Sequence, residues 1–392
     1  MKKTFLILFF FIGISCFSLK AAQLTPDSIR ISLLTCSPGD DIYTLFGHTG
    51  VRISIPKSQI DEVYHYGIFD FSSDHFVWRF ALGQANYKLG KVPYDYFLYE
   101  YTYYGRAVWE QELRLSSEEK YKLLHALEDN YKPQNRVYRY NVLFDNCATK
   151  PLEKIEESTN REILLKSLSK DTPSFRDLIH LYTKNHPWSQ FGIDLCLGSG
   201  ADKPTTIKQR AFLPIELMKI LEKTKIGSNP LTKPVKTILD EDKNSMTSSS
   251  LFIPSPLTVF TTLFILLFLI SIWEYKRGKS FLCINTVLFT IYGIAGCILT
   301  FLALFSHHPT VSPNYLLFLF HPLHLIFALI LAFKRFYSKK RAYHYTNLII
   351  LTLFIVFLWF IPQSFSLAIL PLAGCLLLRS LTFILIQTKK QA

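Results

Sequence analysis

One thiol and two imidazoles are the groups in this chain best placed to do chemistry. Cys147 stands in Asp145-Asn146-Cys147-Ala148-Thr149, where a strand pattern runs into a helix pattern. A cysteine nucleophile requires a base, and the base requires a group that orients it. His48, in Phe46-Gly47-His48-Thr49-Gly50, opens a strand-like run whose glycines let another group approach closely. His65, in Tyr64-His65-Tyr66-Gly67, falls on the next such run and lies beside His48 if the two pair as a hairpin. The arrangement read from these residues is Cys147 as nucleophile, His48 as base and His65 as orienter. Spacing alone does not single it out. A Cys and a His 99 positions apart serve equally well as an apolar plug under a helix and a hydrogen-bonded strand histidine, and His65 as a surface residue.

Pro151 sharpens the reading of Cys147. Proline is tolerated only in the first turn of a helix, so the helix running toward Glu157 begins close to the thiol. Free backbone N–H groups and the helix dipole at that point favour thiolate and are expected to lower its pKa.

Other constellations carry less. Asp40 and Asp41, after Pro38-Gly39, read as a solvated turn before they read as a cation site. Six tyrosines from Tyr94 to Tyr104 suit an aromatic rim at a membrane surface or the packing of a long loop. His321 and His324 flank Pro322 inside an apolar stretch and read as helix-to-helix hydrogen-bonding groups at a kink. Arg379, near the end of the last apolar stretch, is expected to snorkel to the cytoplasmic surface. No glycine-rich phosphate loop, metal-spaced His/Cys cluster or G-x-S-x-G elbow is present, so no metal and no cofactor are expected.

The elements that must position these groups follow from periodicity. Strands are expected near 29–35, 49–55, 62–69, 76–82 and 106–115. A helix capped by Ser116 and Glu119 follows, with Tyr121, Leu124 and Leu127 on one face and Pro133 as its stop. A strand over 136–144 then leads into the Cys147 helix. After the Ser-rich stretch Ser245–Ser250 the chain changes character, with apolar stretches over about 256–273, 281–305, 315–333, 346–362 and 365–386. Each reads as a transmembrane helix.

The net charge of +13 is topological rather than a nucleic-acid footprint, and no nucleic-acid partner is expected. Ten of those charges lie beyond residue 250 and two more at Lys2 and Lys3. Lys276, Arg277, Lys279, Lys334, Arg335, Lys339, Lys340, Arg341, Lys389 and Lys390 fall on alternate loops and the tail, whereas 306–314 and 362–364 hold no cation. Cytoplasmic loops accumulate Lys and Arg, so the N-terminal part is expected outside and the C-terminus inside. Lys2 and Lys3, the apolar run Phe5–Phe17 and the pair Ala21-Ala22 read as a signal segment over 1–22, although Lys20 is a poor neighbour for cleavage. Cleaved or kept as an anchor, it exports residues 24–250. The exported cysteines Cys36, Cys147 and Cys196 are odd in number, so at least one thiol stays unpaired.

The motifs "LLTCSPGDDIYTLFGHTGVRI", "VYHYGIFDF", "YGRAVWEQEL", "NRVYRYNVLFDNCATKP" and "WSQFGIDLCLGSGAD" together resemble the Lnb-type N-terminal periplasmic domain, a family of Bacteroides and its relatives associated with lipoprotein N-acylation. The resemblance covers about residues 24–240 and, through the multispan C-terminal part, the whole chain. The motif order also looks like that of circularly permuted papain-like enzymes, among them lecithin retinol acyltransferase relatives, in which His and Cys act together on acyl groups. It implies an α+β exported papain-like domain over 24–244, a linker over 245–255 and about five transmembrane helices over 256–387. It implies an inner-membrane acyltransferase that moves an acyl chain from phospholipid, through a Cys147 thioester, to the α-amine of a lipoprotein's lipidated N-terminal cysteine. Asn146, Asp145, Tyr43, Tyr66 and Arg106, which lie in the motifs, are implied to bind substrate or support the site. Family members commonly carry Asn where this chain has His65, which leaves the third catalytic residue open, and Cys36, also in a motif, stands as a rival thiol. A periplasmic peptidase or amidase acting on cell-wall peptides and a non-enzymatic envelope assembly factor are the alternative readings.

Overall fold

The computed structural model describes residues 29–69, 71–166, 171–242, 253–331 and 337–391. The expected signal segment, with Cys16, Ala21 and Ala22, and the linker stretch Ser245–Ser250 lie outside them.

Alternating apolar residues build an antiparallel meander from β1 (Arg30–Cys36), β2 (His48–Ile55) and β3 (Ile60–Ile68), in which Leu33 pairs with Val51 and Val51 with Tyr64. Next come α1 (Phe76–Ala81), β4 (Asn86–Pro93), α2 (Tyr94–Tyr103), β5 (Val108–Glu112), α3 (Ser117–Tyr131), β6 (Val137–Arg139) and α4 (Thr149–Ser158). The rest of the domain comprises β7 (Ile163–Leu164), α5 (Phe175–Thr183), α6 (Pro187–Cys196), α7 (Ile207–Arg210), α8 (Pro214–Lys223), β8 (Lys225–Ile226), β9 (Asn229–Pro230) and β10 (Lys236–Leu239). The main sheet is antiparallel, in the order β10-β5-β1-β2-β3-β4-β6.

Strand alternation sends two sets of side chains to opposite faces. Ile31, Leu33, Val51, Ile53 and Tyr66 pack against Leu123 and Leu127 of α3, Leu152 and Ile155 of α4 and Leu217 of α8. Leu34, Cys36 and Val63 pack on the other face against Phe97 and Tyr101 of α2. Each large apolar side chain so buried contributes about 1.5–3 kcal/mol.

Several expectations change. Residues 76–81 form α1 rather than a strand: the period-two rings find no strand to pair with, so Phe76 and Phe80 stack along the helix while Trp78 packs on Phe301 of α10. The strand is β4, whose lysines and glycine hid its alternation. The six tyrosines lie on and just after α2, with Tyr94 and Tyr101 in the core and Tyr96, Tyr99 and Tyr103 exposed. The expected strand over 136–144 stops at Arg139, because Asn141 Oδ1 accepts from the N–H groups of Leu143 and Phe144 and turns the chain. The Ser116/Glu119 capping box forms as expected.

The membrane half holds α9 (Pro256–Arg277), α10 (Leu282–Phe305), α11 (Leu323–Leu331), α12 (Tyr337–Val356) and α13 (Ile369–Gln391). Among the described residues three helices, α9, α10 and α13, are long and apolar enough to cross a membrane. The expected third and fourth spans are not continuous apolar helices. The chain from Tyr315 passes through a 3-10 turn and is interrupted at His321-Pro322, and α12 opens on a strongly basic polar turn. His324 bonds Tyr343 of α12 and Leu319 O, the helix-to-helix role expected of it.

Arg379 does not snorkel. It is fully buried and forms a bidentate pair with Glu274 of α9, while also donating to Asn285 Oδ1 (2.6 Å) and Ser271 Oγ (3.0 Å). A carboxylate on a neighbouring helix satisfies the guanidinium better than a reach to water does.

The exported domain docks on the membrane helices at two places. At α1, His307 N–H donates to Leu82 O (2.9 Å), Ser306 Oγ to Ala81 O (2.7 Å) and His308 Nε2 to Phe80 O (2.7 Å), so the loop after α10 supplies hydrogen-bond partners to the carbonyls at the end of α1. At α6, Asn314 Nδ2 donates to Leu195 O (2.8 Å), Gln363 Nε2 donates to Leu197 O (3.1 Å), and Phe191 packs on Phe260 of α9.

Candidate active site

His48 is the first residue of β2, and the chain reaches it through Gly47, whose φ of +82° suits glycine. A side chain at Gly47 would also run into the Cys36 carbonyl oxygen, 2.5 Å from where its Cβ would stand. His65 lies on the adjacent strand β3, and the hairpin brings its Nδ1 to 3.1 Å from His48 Nε2, with the two rings edge to face. His65 also meets Phe97 edge-on, which closes the pair off on the side of α2.

Cys147 comes from far along the chain. Asn146 holds it in place: its Nδ2 donates to Val142 O (2.7 Å) and Phe212 O (2.8 Å), and its Oδ1 accepts from the N–H groups of Ala148 (2.8 Å) and Thr149 (3.0 Å). With its amide fully engaged, Asn146 shapes the turn and offers nothing to a substrate. Asp145 pairs with Lys150 at 3.0 Å and bridges back to Asn141, a second brace on the same turn.

Gly67 joins the two halves of the site. A Cβ at Gly67 would stand 3.6 Å from Cys147 Cβ and 3.9 Å from His48 Cε1. The thiol and the imidazole therefore share the space that a side chain at 67 would fill, and the φ of +97° reserves the position for glycine. Because His48 Nε2 is occupied by His65, Nδ1 is the ring nitrogen left for another partner.

The electrostatics correct the expected low thiol pKa. Burial pushes Cys147 up to about 11, outweighing the N–H groups of Thr49 and of Cys147 itself and the positive charge of Arg106, all of which pull it down. The helix start helps little because α4 begins at Thr149 and the N–H groups there are taken by Asn146. Burial, then the neighbouring His65 and Arg106, hold His48 well below the ordinary imidazole range, and burial lowers His65 to about 4. The site thus holds a neutral thiol and a neutral imidazole on either side of Gly67.

Arg106 donates through Nε to Ser37 O (2.8 Å) and lies over the Tyr101 ring, close enough for its charge to act on Cys36, His48 and Cys147. Tyr43 is exposed on the rim, donating to Asp41 (3.0 Å) and touching Phe69 and Phe71. Tyr66 is not part of the site: it points to the opposite face of β3 from His65 and donates to Asn130 of α3 at 2.6 Å. Cys36, opposite His48 in the ladder, is fully buried and hydrogen-bonded to Tyr101, and its thiol is pushed up further than that of Cys147. Among the described residues every cysteine is free, including Cys36 and Cys196. No cluster of metal-ligating side chains occurs among the described residues. Gly67 is the position in the site that the sequence did not flag, although a glycine two residues beyond a strand histidine was the available signal.

Residues 18–184 match the family model of the Lnb N-terminal periplasmic domain, and residues 247–391 match that of the Lnb transmembrane domain. His48, His65 and Cys147 all fall within the first match. No curated protein and no solved structure matches the chain.

Proposed function

We propose, from the premise that this chain has the Lnb architecture of a periplasmic domain followed by a transmembrane domain, that it is a lipoprotein N-acyltransferase with Cys147 as its nucleophile. The observation that carries the reading is the convergence of Cys147 and His48 on Gly67, in a domain docked through α1 and α6 on membrane helices.

In the first step His48 Nδ1 takes the thiol proton as sulfur attacks the ester carbonyl of a phospholipid. The carbon–oxygen bond then breaks, the leaving alkoxide takes that proton from His48 to give lysophospholipid, and the acyl group remains on Cys147 as a thioester. In the second step the neutral α-amine of a lipoprotein's lipidated N-terminal cysteine attacks the thioester. His48 takes the amine proton, the carbon–sulfur bond breaks, and the proton returns to sulfur as the amide forms. His65, neutral at physiological pH, keeps a lone pair on Nδ1 for His48 Nε2–H and so supports the imidazolium formed in each step. Arg106 favours the thiolate. No cofactor enters the scheme.

Both substrates are lipids of the outer leaflet, which suits a domain seated on the ends of transmembrane helices; a peptidase or amidase working on the cell wall has no use for that seat. The topology agrees. The domain docks on the cation-free loops 306–314 and 362–364, while Lys276, Arg277, Lys389 and Lys390 lie at the far ends of α9 and α13, which supports reading the C-terminus as cytoplasmic.

Mass spectrometry of lipoprotein N-termini from cells with and without the protein tests the reading. N-termini one acyl chain heavier only when the protein is present are expected; identical masses overturn it.

A further inference from the structure

We propose that the aromatic strip from Phe69 along α1 is the seat of the donor's acyl chain, leading from the outer end of α10 to Cys147; the proposal rests on the acyl-transfer reading above. Phe69 follows two residues after Gly67, the position shared by Cys147 and His48. From it the rings run on without a break: Phe69 to Phe76 at 5.8 Å, Phe76 to Phe80 at 6.3 Å and Phe80 to His308 at 5.5 Å. Trp78 lies 4.7 Å from Phe301, near the end of α10.

The strip is open on its outer side. Phe71 is 64% exposed and Trp78 55%, and Tyr43, beside Phe69 and Phe71, is 59% exposed. Phe76, between the exposed ends, is itself buried against Ala85 and Tyr87, and the exposed apolar side chains on either side of it mark a binding surface. Two features favour an acyl chain over simple anchoring of α1 in the membrane interface. An anchor needs only the end near the bilayer, at Trp78 and Phe80. Here the rings continue away from α10 to Phe71 and to Phe69, two residues beyond Gly67 at the end of β3. The hydrogen bonds from Ser306, His307 and His308 fix α1 to the loop after α10, so the strip keeps one end at the membrane.

The test uses the full chain with Cys147→Ala, which blocks turnover, in phosphatidylethanolamine vesicles containing a phospholipid with a diazirine in its acyl chain. After irradiation, label on Phe69 or Phe71 is expected. Label confined to Trp78, Phe80 and the transmembrane helices means that α1 is only an anchor, and it overturns the proposal, as does absence of label from 69–81. In the Cys147-containing protein, Phe71→Glu should lower thioester formation about tenfold while Phe71→Leu preserves it; equal rates for the two variants also overturn the proposal. Label on Phe69 or Phe71 without any thioester on Cys147 in the unaltered protein would leave the seat standing and refute acyl transfer, so the two failures are distinct.

Discussion

His48 Nε2 and His65 Nδ1 lie 3.1 Å apart, so only one of the two nitrogens carries the proton between them. For His48 to act as a base through Nδ1, its own proton must sit on Nε2 and be donated to His65. His65 then holds its proton on Nε2, which is buried and finds no partner among the described residues. That tautomer thus leaves one buried donor unsatisfied, a cost of about 1–3 kcal/mol. The reverse tautomer leaves the same nitrogen as a buried acceptor without a partner and puts the His48 proton on Nδ1, the nitrogen that the proposed mechanism needs free.

The proposed mechanism therefore calls for an acceptor at position 65. His65→Asn, which keeps an acceptor, should retain more thioester formation than His65→Ala, and both should lose less than the roughly 10²–10⁴-fold expected when a general base is removed. Initial rates of thioester accumulation on Cys147 compare them. Equal damage from Asn and Ala would refute the acceptor role.

Cys147→Ala and His48→Ala should each abolish N-acylation, and the double variant should be no worse than either, because members of one catalytic unit are non-additive. The peptide containing Cys147 should carry a hydroxylamine-labile acyl group when phospholipid is supplied without amine acceptor. Normal lipoprotein N-acylation in the Cys147→Ala strain would end the covalent mechanism.

The pH dependence follows from the shifts. His48, held well below 6.5, stays a base through neutral pH, so thioester formation should be flat there and fall only as acid protonates the imidazole below the ordinary range. With the thiol up at about 11, alkylation of Cys147 by iodoacetamide should be slow at pH 7 and climb toward strongly alkaline pH. An alkylation midpoint below pH 8 would show a pre-formed thiolate instead.

Gly67→Ala places a methyl between Cys147 and His48 at a φ of +97°. A strained backbone of this kind costs about 1–3 kcal/mol. The variant should melt lower and lose activity more steeply than stability. Unchanged thioester formation would mean that the space beside Gly67 is not where the two groups meet.

Arg379→Ala strands Glu274 inside the helix bundle, and breaking a buried pair costs about 3–5 kcal/mol. The double change Arg379→Met with Glu274→Leu should recover most of the loss. Thermal unfolding of the full-length protein in detergent measures both, and a single variant as stable as the original would show that the pair is not structural.

Features resting on local interactions were legible in the chain itself. Apolar alternation marks β1, β2 and β3, the Ser116/Glu119 box caps α3, and Pro151 places the start of α4 just after Cys147. The long apolar helices α9, α10 and α13 are equally plain, since length and hydropathy alone qualify a span. Where the local signal was mixed, context decided. The rings of α1 alternate like a strand until α10 gives them a neighbour, and β4 is a strand because β3 and β6 flank it.

The site itself divides the same way. Residue type marked Cys147, His48 and His65 as able to act together, and hairpin pairing made the His48–His65 contact foreseeable. Only the tertiary structure could bring Cys147 and His48 together on Gly67, send Tyr66 to the far face of β3 and bury Arg379 against Glu274. The reason is that burial, close approach and pairing between distant residues depend on where the chain returns in space. The ionisation of the thiol shows it most clearly: a helix start read along the chain predicts a lowered pKa, and desolvation by the surrounding fold raises it.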